Sequence, residues 1–455
     1  MSLSTEGRTE TGSGRSRIAL WIAIGVFAAY LANLRLLAPG DSLPARYLPF
    51  AIWGEGSLTL DSVANVVQAH RNKPYWVLRS RDGHLMSLYP IVTPLLVTPF
   101  YAPAVAYLRL RGWNDDRLEM VGKWMEKLSA AAICAVSAGL MFLLLARQLP
   151  VSRAVILTLG YALGTSTWSI GSQALWQHGP AELLLVIGLL AVTAEPPWMI
   201  AAGAAAGLLI VNRPPDALLA GALLGFLVLR REQGAFRSIL AATAILVPFA
   251  LYNLHFYHSV WGGYGVIGLG RTARSFYQHP WLSGVAGLLI SPAKGLFVFS
   301  PVLLLLAFAR KADHSSRDRL LALCLTGGIL LQILFYARTD WRAGWCYGPR
   351  FLADALPALF WLLAYSLRNV GMWVWRTAVG LIVVAIAIQM VGAFCYPRGR
   401  SDILFYPTMT WQDMPPALWS WRDPPFLVEA RAGVAPPEML DSLTGFLGHT
   451  LGLRK

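Results

Sequence analysis

Long runs of apolar residues constrain this chain more than any other feature of its sequence. A helix needs roughly 20 apolar residues to cross the hydrocarbon core of a bilayer. Such runs recur through the 455 residues, of which 56% are hydrophobic and only 14% charged. Soluble domains carry about 25% charged residues, so the sequence predicts an all-α polytopic membrane protein. The predicted spans, about eleven in all, are residues 18–38, 124–146, 153–173, 179–194, 197–212, 215–230, 238–257, 295–310, 319–337, 351–367 and 373–395.

Residues 88–109 are also apolar enough to span, but their composition favours a broken segment. Prolines interrupt this stretch at Pro90, Pro94, Pro99 and Pro103. Proline removes a backbone hydrogen bond and clashes with the preceding helical turn. If the segment does not cross, the basic loops near Arg147, Arg230 and Arg310 all fall on the cytoplasmic side. The positive-inside rule therefore favours a topology in which 88–109 stays on one side.

This topology divides the chain into three parts. Residues 1–17 are predicted to be a disordered cytoplasmic N-terminus, and residues 396–455 an outer-face tail. Residues 18–395 form the membrane module, in which the first loop, residues 39–123, lies on the outer face. The net charge of +14 fits basic cytoplasmic loops and anionic lipid. The basic residues are scattered between apolar runs, which argues against a nucleic-acid partner.

The first loop holds the candidate catalytic residues Asp41, Asp61 and His84. Asp41 follows the first span directly. An aspartate before a Ser-Leu-Pro sequence also caps helices, so a structural role as the N-cap of a helix from Leu43 is the alternative. Asp61 has the same ambiguity. His84 follows a turn-forming Asp-Gly pair, and a solvated loop histidine is the simpler interpretation there.

Basic and aromatic residues at the outer ends of other spans form a second candidate set. Cations on that face contravene the positive-inside pattern, which is explained if they hold an anion such as phosphate. Each also has an alternative role as an interfacial anchor. The candidate phosphate-binding residues are Lys127, Arg213, Lys294, Arg342 and Arg350. The candidate sugar- or acceptor-binding residues are His178, Trp341, Trp345 and Tyr347.

Several short motifs occur in an order that resembles the GT-C glycosyltransferases, a superfamily that includes oligosaccharyltransferases, protein O-mannosyltransferases and the lipid A aminoarabinose transferase. The motifs are GDSLPARYLPFAIWGEGSLTLD (40–61), GHLMSLYPIVTPLLVTPFY (83–101), EKLSAA (126–131), LWQHGPAELLL (175–185) and WRAGWCYGPRFLADALP (341–357). Where family members often have Asp-Glu, this chain has Asp41-Ser42. Their Lys-Pro-Pro or His-Pro-Pro patch is reduced to residues 87–90. Metal dependence and acceptor chemistry therefore stay open.

The resemblance implies a GT-C bundle with juxtamembrane helices in the first loop. It also implies transfer of a sugar from a polyprenyl-phosphate donor to a glycan, lipid or protein acceptor at the outer face of a bacterial inner membrane. Asp41 would be the base, with Asp61 and His84 as acceptor or metal contacts. Because Asp and His are competent ligands, Asp41 and His84 could hold Mg²⁺ or Mn²⁺, although the sequence requires no cofactor. The alternative function is a transporter or flippase of a lipid-linked sugar.

Overall fold

The computed structural model describes residues 6–37, 39–69, 75–268, 279–308, 315–342, 344–405, 414–442 and 444. The chain is 72% helical, which confirms the predicted fold class. The only strands among the described residues are β1 (Val77–Arg79) and β2 (Leu85–Ser87), which form an antiparallel hairpin with Leu78 opposite Met86. The apolar runs of the sequence form helices. Lipid offers no hydrogen bonds to backbone N–H and C=O groups, so a spanning segment has to satisfy them internally.

The helices divide between the first loop, the bundle and the tail. In the first loop they are α2 (Leu43–Glu55), α3 (Ala64–Ala69), α4 (Val92–Val97) and α5 (Ala102–Arg111). In the bundle they are α1 (Glu6–Leu31), α6 (Asp115–Leu145), α7 (Val151–Leu163), α8 (His178–Thr193), α9 (Met199–Asn212), α10 (Ala217–Leu229), α11 (Ala235–Tyr257), α12 (Gly263–Gly268), α13 (Trp281–Ile290), α14 (Leu296–Phe299), α15 (Ser316–Ala337), α16 (Leu356–Leu367) and α17 (Met372–Phe394). The tail contributes α18 (Ser401–Phe405) and α19 (Pro425–Ala432).

Helix length and hydropathy identify the membrane-spanning part of the described chain. Five helices are long and apolar enough to cross a bilayer by themselves: Ser13–Leu31 of α1, α6, α11, α15 and α17. Six shorter apolar helices accompany them, among them α7, α8 and α9. The protein is therefore a multi-pass membrane protein, with most helices at the positions predicted from the apolar runs.

Two predicted spans end differently from the expectation. The helix predicted at 153–173 ends at Leu163, where Gly164 follows and Thr165 turns its hydroxyl back to the Tyr161 carbonyl oxygen, at 2.6 Å. The span predicted at 295–310 is broken into α14 and a 3₁₀ helix at Pro301–Phe308. Proline at the junction cannot continue the hydrogen-bond ladder of α14. The apolar helix α13 occupies residues that the sequence placed in a loop.

The proline-rich residues 88–109 form no continuous helix. They are divided into α4, a 3₁₀ turn at Thr98–Tyr101 and most of α5. This is the broken segment that the proline spacing predicts. Its pieces belong to a separate hydrophobic core within the first loop, around Tyr47, Phe50 and Tyr101.

An ion pair anchors this loop core to the bundle. The buried Arg46 of α2 donates through Nε to Glu126 Oε2 of α6 at 2.6 Å. The neighbouring Lys127 donates to Gln173 instead, at 2.6 Å. Because α2 follows directly on the residues after α1, this anchor fixes the position of Asp41.

The described part of the tail packs against the same end of the bundle. The Ala435 amide donates to the Phe394 carbonyl at 2.9 Å, and the Met439 amide to the Leu34 carbonyl at 2.8 Å. Glu429 is buried and accepts from the Ser401 hydroxyl at 2.6 Å. The tail, the residues after α1 and the first loop therefore lie together at one end of the bundle.

Candidate active site

Asp41 lies in a 3₁₀ turn, Gly40–Ser42, between α1 and α2. Its side chain makes no capping bond to α2, whose N-cap is Ser42. Instead Oδ2 lies 2.7 Å from Nη1 of Arg350. The phenol groups of Tyr75 and Tyr89 both donate to Oδ1, each at 2.7 Å. The helix-cap alternative therefore does not describe this residue, which is the centre of a polar cluster.

The environment of Asp41 favours its charged form. Burial raises the pKa of the carboxyl group, but the Arg350 charge and the hydrogen bonds from Tyr75 and Tyr89 outweigh burial. The net pKa is lower than the ordinary value of an aspartate. Asp41 is thus a carboxylate at neutral pH. Its side chain is 22% exposed. It is available to accept one more hydrogen bond on the solvent side.

A second polar cluster forms around Asp354, which precedes α16. Its Oδ1 lies 2.7 Å from Nδ1 of His178, and its Oδ2 lies 2.9 Å from Nε of Arg213. Arg213 also donates to the hydroxyl of Tyr336. The Tyr336 ring stacks on Phe351, with 4.4 Å between the ring centroids. The cluster is almost completely buried. The carboxylate of Asp354 therefore offsets the cost of burying the Arg213 charge.

Local backbone geometry explains how Arg213 reaches this cluster. Helix α9 ends at Asn212, and a 3₁₀ turn starts at Pro214. Arg213 itself is extended, with φ −146° and ψ 108°. The Asn212 side chain and the Gln177 backbone carbonyl are hydrogen-bonded at 2.8 Å, which fixes this junction against the start of α8.

The two clusters adjoin each other. The Tyr89 and Tyr264 rings meet edge to face, with centroids 6.0 Å apart. The Tyr264 hydroxyl donates to Gln177 at 2.8 Å, and Gln177 precedes His178. Arg350 and Asp354 are also close along the chain, only four residues apart. We refer to Asp41, Tyr75, Tyr89 and Arg350 as the Asp41 centre, and to His178, Arg213, Tyr336 and Asp354 as the Asp354 cluster.

Asp61 and His84 contact each other rather than the Asp41 centre. His84 Nδ1 lies 2.7 Å from Asp61 Oδ2, and the Leu85 amide donates to Asp61 Oδ1 at 2.8 Å. Both side chains are more than one third exposed. Burial raises the pKa of Asp61, but the hydrogen bonds from Leu85, His84 and Thr59 lower it by more. The net pKa of Asp61 is therefore below the ordinary value. The pair ties the turn of the β1–β2 hairpin to the 3₁₀ turn at Asp61–Val63.

Three of the five candidate phosphate-binding residues have other partners in the structure. Lys294 is buried and donates to the Cys346 carbonyl. Arg342 makes two 2.8 Å bonds to the carboxylate of Asp340. Lys127 is bound to Gln173. Arg213 and Arg350 therefore remain as the two candidate cations that the structure brings near Asp41.

The candidate aromatic residues also differ in their accessibility. Trp341 is buried and packs against Trp419, with ring centroids 5.9 Å apart. Tyr347 is buried, and its hydroxyl donates to the Ile388 carbonyl at 2.7 Å. Trp345 is 53% exposed and lines a cavity. Only Trp345 of this aromatic set is placed to contact a ligand in the described structure.

The partners of these residues carry weaker signals in the sequence. Tyr89 and Asp354 both lie in motifs quoted above, but nothing local distinguishes them from their neighbours. Tyr75 and Tyr336 lie outside those motifs. Hydrogen bonds to Asp41 and Arg213 reveal their roles, and these bonds join residues that are distant in sequence.

The described residues contain no cluster of three or more His, Cys, Asp or Glu side chains able to hold a metal ion. Asp41 and His84, the two candidate ligands, are bonded to different partners. The donor set around Asp41 is one carboxylate, two phenols and a guanidinium. Arginine supplies no lone pair to a cation, so this set does not fit a divalent metal.

Comparison with solved structures finds the same architecture in a known protein. The crystal structure of ArnT from Cupriavidus metallidurans, bound to undecaprenyl phosphate, aligns with a TM-score of 0.52. The alignment covers 96% of this chain and 77% of that chain, at 15% sequence identity. This chain therefore shares the fold of that protein, which confirms the fold that the resemblance to the GT-C glycosyltransferases implies. No family model matches the sequence, and no curated protein matches it.

Proposed function

We propose that this protein is a glycosyltransferase that moves a sugar from a polyprenyl-phosphate donor to an acceptor at the outer face of a bacterial inner membrane. The observation that carries the proposal is the Asp41–Arg350 pair at 2.7 Å, which joins an anionic base to a cation at one end of a GT-C bundle. The ArnT structure was bound to undecaprenyl phosphate, which supports a donor of this chemical class. The catalytic module is residues 18–395, with the N-terminus in the cytoplasm.

Asp41 acts as the general base in this proposal. The acceptor hydroxyl donates a hydrogen bond to the carboxylate, and its oxygen attacks the anomeric carbon of the donor sugar. The bond from that carbon to the phosphate oxygen breaks, and the electron pair leaves with polyprenyl phosphate. The hydroxyl proton passes to Asp41. A positioned base of this kind contributes about 10²- to 10⁴-fold to a rate.

Arg350 stabilises the departing phosphate. Its guanidinium has donors beyond the one bound to Asp41, and Arg can bind phosphate with two parallel hydrogen bonds. The Nε atom of Arg350 is buried and has no hydrogen-bond partner in the described structure. A phosphate at this position would satisfy that donor. Tyr75 and Tyr89 hold Asp41 in place while Arg350 changes partner.

The Asp354 cluster positions the phosphate side of the site. Arg213 is held by Asp354 and Tyr336, so its guanidinium is fixed rather than mobile. Its charge is near enough to interact with that of Arg350. Two fixed cations beside a leaving phosphate lower the barrier without reorganisation during the reaction. His178 orients Asp354 and with it Arg213.

The test uses purified protein in detergent with a panel of polyprenyl-phosphate sugars and envelope extract as the acceptor source. Release of polyprenyl phosphate is followed by mass spectrometry. We expect wild type to consume one donor, and Asp41→Asn to be slower by about 10²-fold or more. Asp82→Asn is the matched control, because Asp82 lies exposed in the same loop.

Two outcomes would contradict the proposal. If Asp41→Asn releases polyprenyl phosphate at the wild-type rate, Asp41 is not the base. If no donor is consumed but the protein moves a lipid-linked sugar across vesicle membranes, the transporter alternative is correct. Detergent separates these cases, because transport has no meaning without two compartments.

A further inference from the structure

Asp216 is a buried acidic residue that neither the proposed base nor the proposed phosphate contacts include. It ends the 3₁₀ turn Pro214–Asp216 and is the N-cap residue of α10, yet its side chain makes no capping bond. An aspartate at an N-cap ordinarily accepts a hydrogen bond from a backbone N–H of the first helical turn. The Asp216 side chain is completely buried, so its carboxyl group must find its partners elsewhere in the fold.

The carboxyl group of Asp216 bonds to α15 on one side and to Asp354 on the other. Gln332 Nε2 donates to Asp216 Oδ1 at 2.7 Å. The Asp216 and Asp354 carboxyl groups are hydrogen-bond partners of each other. No N–H or O–H group of the described residues donates an aligned hydrogen bond to Oδ2 of either aspartate. Two carboxylates carry only acceptor atoms, so a hydrogen bond between them requires a proton on one of them.

The contacts of His178 place that proton on the carboxyl pair rather than on the imidazole. Nδ1 of His178 lies 2.7 Å from Asp354 Oδ1, and Nε2 lies 3.0 Å from Nη1 of Arg213. A guanidinium nitrogen can only donate, so Nε2 has to accept while Nδ1–H donates to Asp354. A neutral imidazole does both, whereas an imidazolium would direct an N–H group at the arginine. His178 is therefore neutral in this arrangement.

The balance of charges around Asp216 also requires one proton. In the described part of the chain, Arg213 is the one arginine in ion-pair contact with Asp354, and Asp216 forms no ion pair of its own. Helices α9 and α10, which flank the turn, carry no titratable side chain. Buried like charges in contact repel each other, and an unpaired buried charge is costly. One shared proton leaves a single carboxylate opposite a single guanidinium, so the cluster is neutral.

We propose that Asp216 is a positioning residue of the glycosyltransfer site and that it acts as a carboxylic acid, donating its proton to Asp354. Gln332 holds the other oxygen of Asp216, so the acid keeps one orientation. Asp354 then serves as a single carboxylate that fixes Arg213. A second negative charge at Asp216 would oppose the leaving phosphate that Arg213 and Arg350 stabilise. The effect on rate rests on the proposed function, whereas the protonation state does not.

The first measurement is the infrared difference spectrum between wild type and Asp216→Asn, in one detergent at neutral pH. The C=O stretch of a protonated carboxyl group is separate from the bands of a carboxylate. We expect Asp216→Asn to lose a protonated carboxyl band and no carboxylate band, since Asp354 stays ionised in both proteins. Asp340→Asn is the matched control. Asp340 accepts two 2.8 Å bonds from Arg342, so this variant should lose carboxylate bands only.

The second measurement compares two substitutions of Asp216 by the rate of polyprenyl-phosphate release. Asp216→Leu has a similar size but no donor, and it should be slower by about 10- to 100-fold, as when a hydrogen bond to a charged group is lost. Asp216→Asn should restore most of that rate. Its amide N–H donates to Asp354 and its carbonyl oxygen accepts from Gln332, so asparagine reproduces the acid and not the carboxylate.

Two results would overturn the inference. Loss of carboxylate bands instead of a protonated band in Asp216→Asn would show that Asp216 is ionised. A rate in Asp216→Asn as low as that of Asp216→Leu would show that the site needs the charge and not the proton. If wild type consumes no donor, the proposed function fails, but the infrared spectrum still decides whether Asp216 holds the proton. The two failures are therefore distinguishable.

Discussion

Asp41 and Asp61 lie in the same loop, each within a 3₁₀ turn. Each has one cationic or ionisable partner at 2.7 Å. Their partners differ in distance along the chain. Arg350 is 309 residues from Asp41, whereas His84 is 23 residues from Asp61. Asp41 also receives two phenol hydrogen bonds and is less exposed than Asp61. The first pair joins two parts of the fold, and the second ties a hairpin to a turn of the same loop.

The comparison distinguishes a carboxylate that bonds across the fold from one that bonds within its own loop. A surface ion pair contributes little to stability, since solvent screens it and ordering the side chains costs entropy. A pair that is partly withdrawn from water interacts more strongly and can act on a substrate in a site that excludes solvent. The two aspartates should therefore respond differently to the same substitution, and the predictions below measure that difference.

The largest expected difference is in turnover. Arg350→Gln should reduce release of polyprenyl phosphate about 10²- to 10³-fold, as when one donor to a developing charge is removed. Arg350→Lys should recover only part of the lost rate, because an ammonium group cannot make the two parallel hydrogen bonds of a guanidinium. The corresponding change in the other pair, His84→Gln, should alter the rate by no more than about twofold. Equal losses in both variants would mean that the hairpin pair belongs to the active site.

A smaller difference is expected in stability, measured by double-mutant cycles in one detergent at pH 7. The coupling energy between Asp41→Asn and Arg350→Gln should be about 1–3 kcal/mol, the range for contacting groups. For Asp61→Asn and His84→Gln it should be below about 1 kcal/mol, as for other exposed pairs. Unfolding is followed by circular dichroism against a denaturant. Similar coupling energies would show that burial does not distinguish the two pairs.

The sequence predicted the fold better than it predicted the site. Apolar run length decides whether a segment spans a membrane, so most helices could be predicted locally. Helix breaks depend on residues such as Pro301 and Gly164, and these shifted two spans. Asp41 could be found because it follows the first span. Its link to Arg350 could not, because nothing near either residue encodes a contact across 309 positions.

The candidate phosphate-binding set shows the same limit for charges. Outer-end position alone could not distinguish Arg213, which is directed toward the Asp354 cluster, from Arg342, which is bound to Asp340 two residues away. A basic residue needs a counter-charge wherever it is buried. Whether the protein supplies that charge or leaves it to a ligand is decided by tertiary packing. Burial, partner and neighbouring cavity thus have to be known before a role can be assigned.

The smallest expected effect concerns pH, and it tests the assignment of Asp41 as the base. Its folded-state pKa lies below the ordinary value because Arg350 and two tyrosines outweigh burial. The charged form is therefore present above the unfolded value of about 3.9, and its contribution to stability is lost only as pH falls through the lower folded pKa. The rate limited by the base should thus stay level from about pH 8 to about pH 5.

The measurement is the pH profile of kcat/KM for the donor that wild type consumes, with unfolding followed in parallel. An acid limb near pH 6 without unfolding would contradict the assignment, because a carboxylate with a lowered pKa does not titrate there. Asp61→Asn provides the comparison, since its pKa is also lowered but it lies outside the Asp41 centre. Asp61→Asn should leave the pH profile unchanged. Arg350→Gln should move the acid limb to higher pH, because burial then raises the pKa of Asp41 without the opposing Arg350 charge.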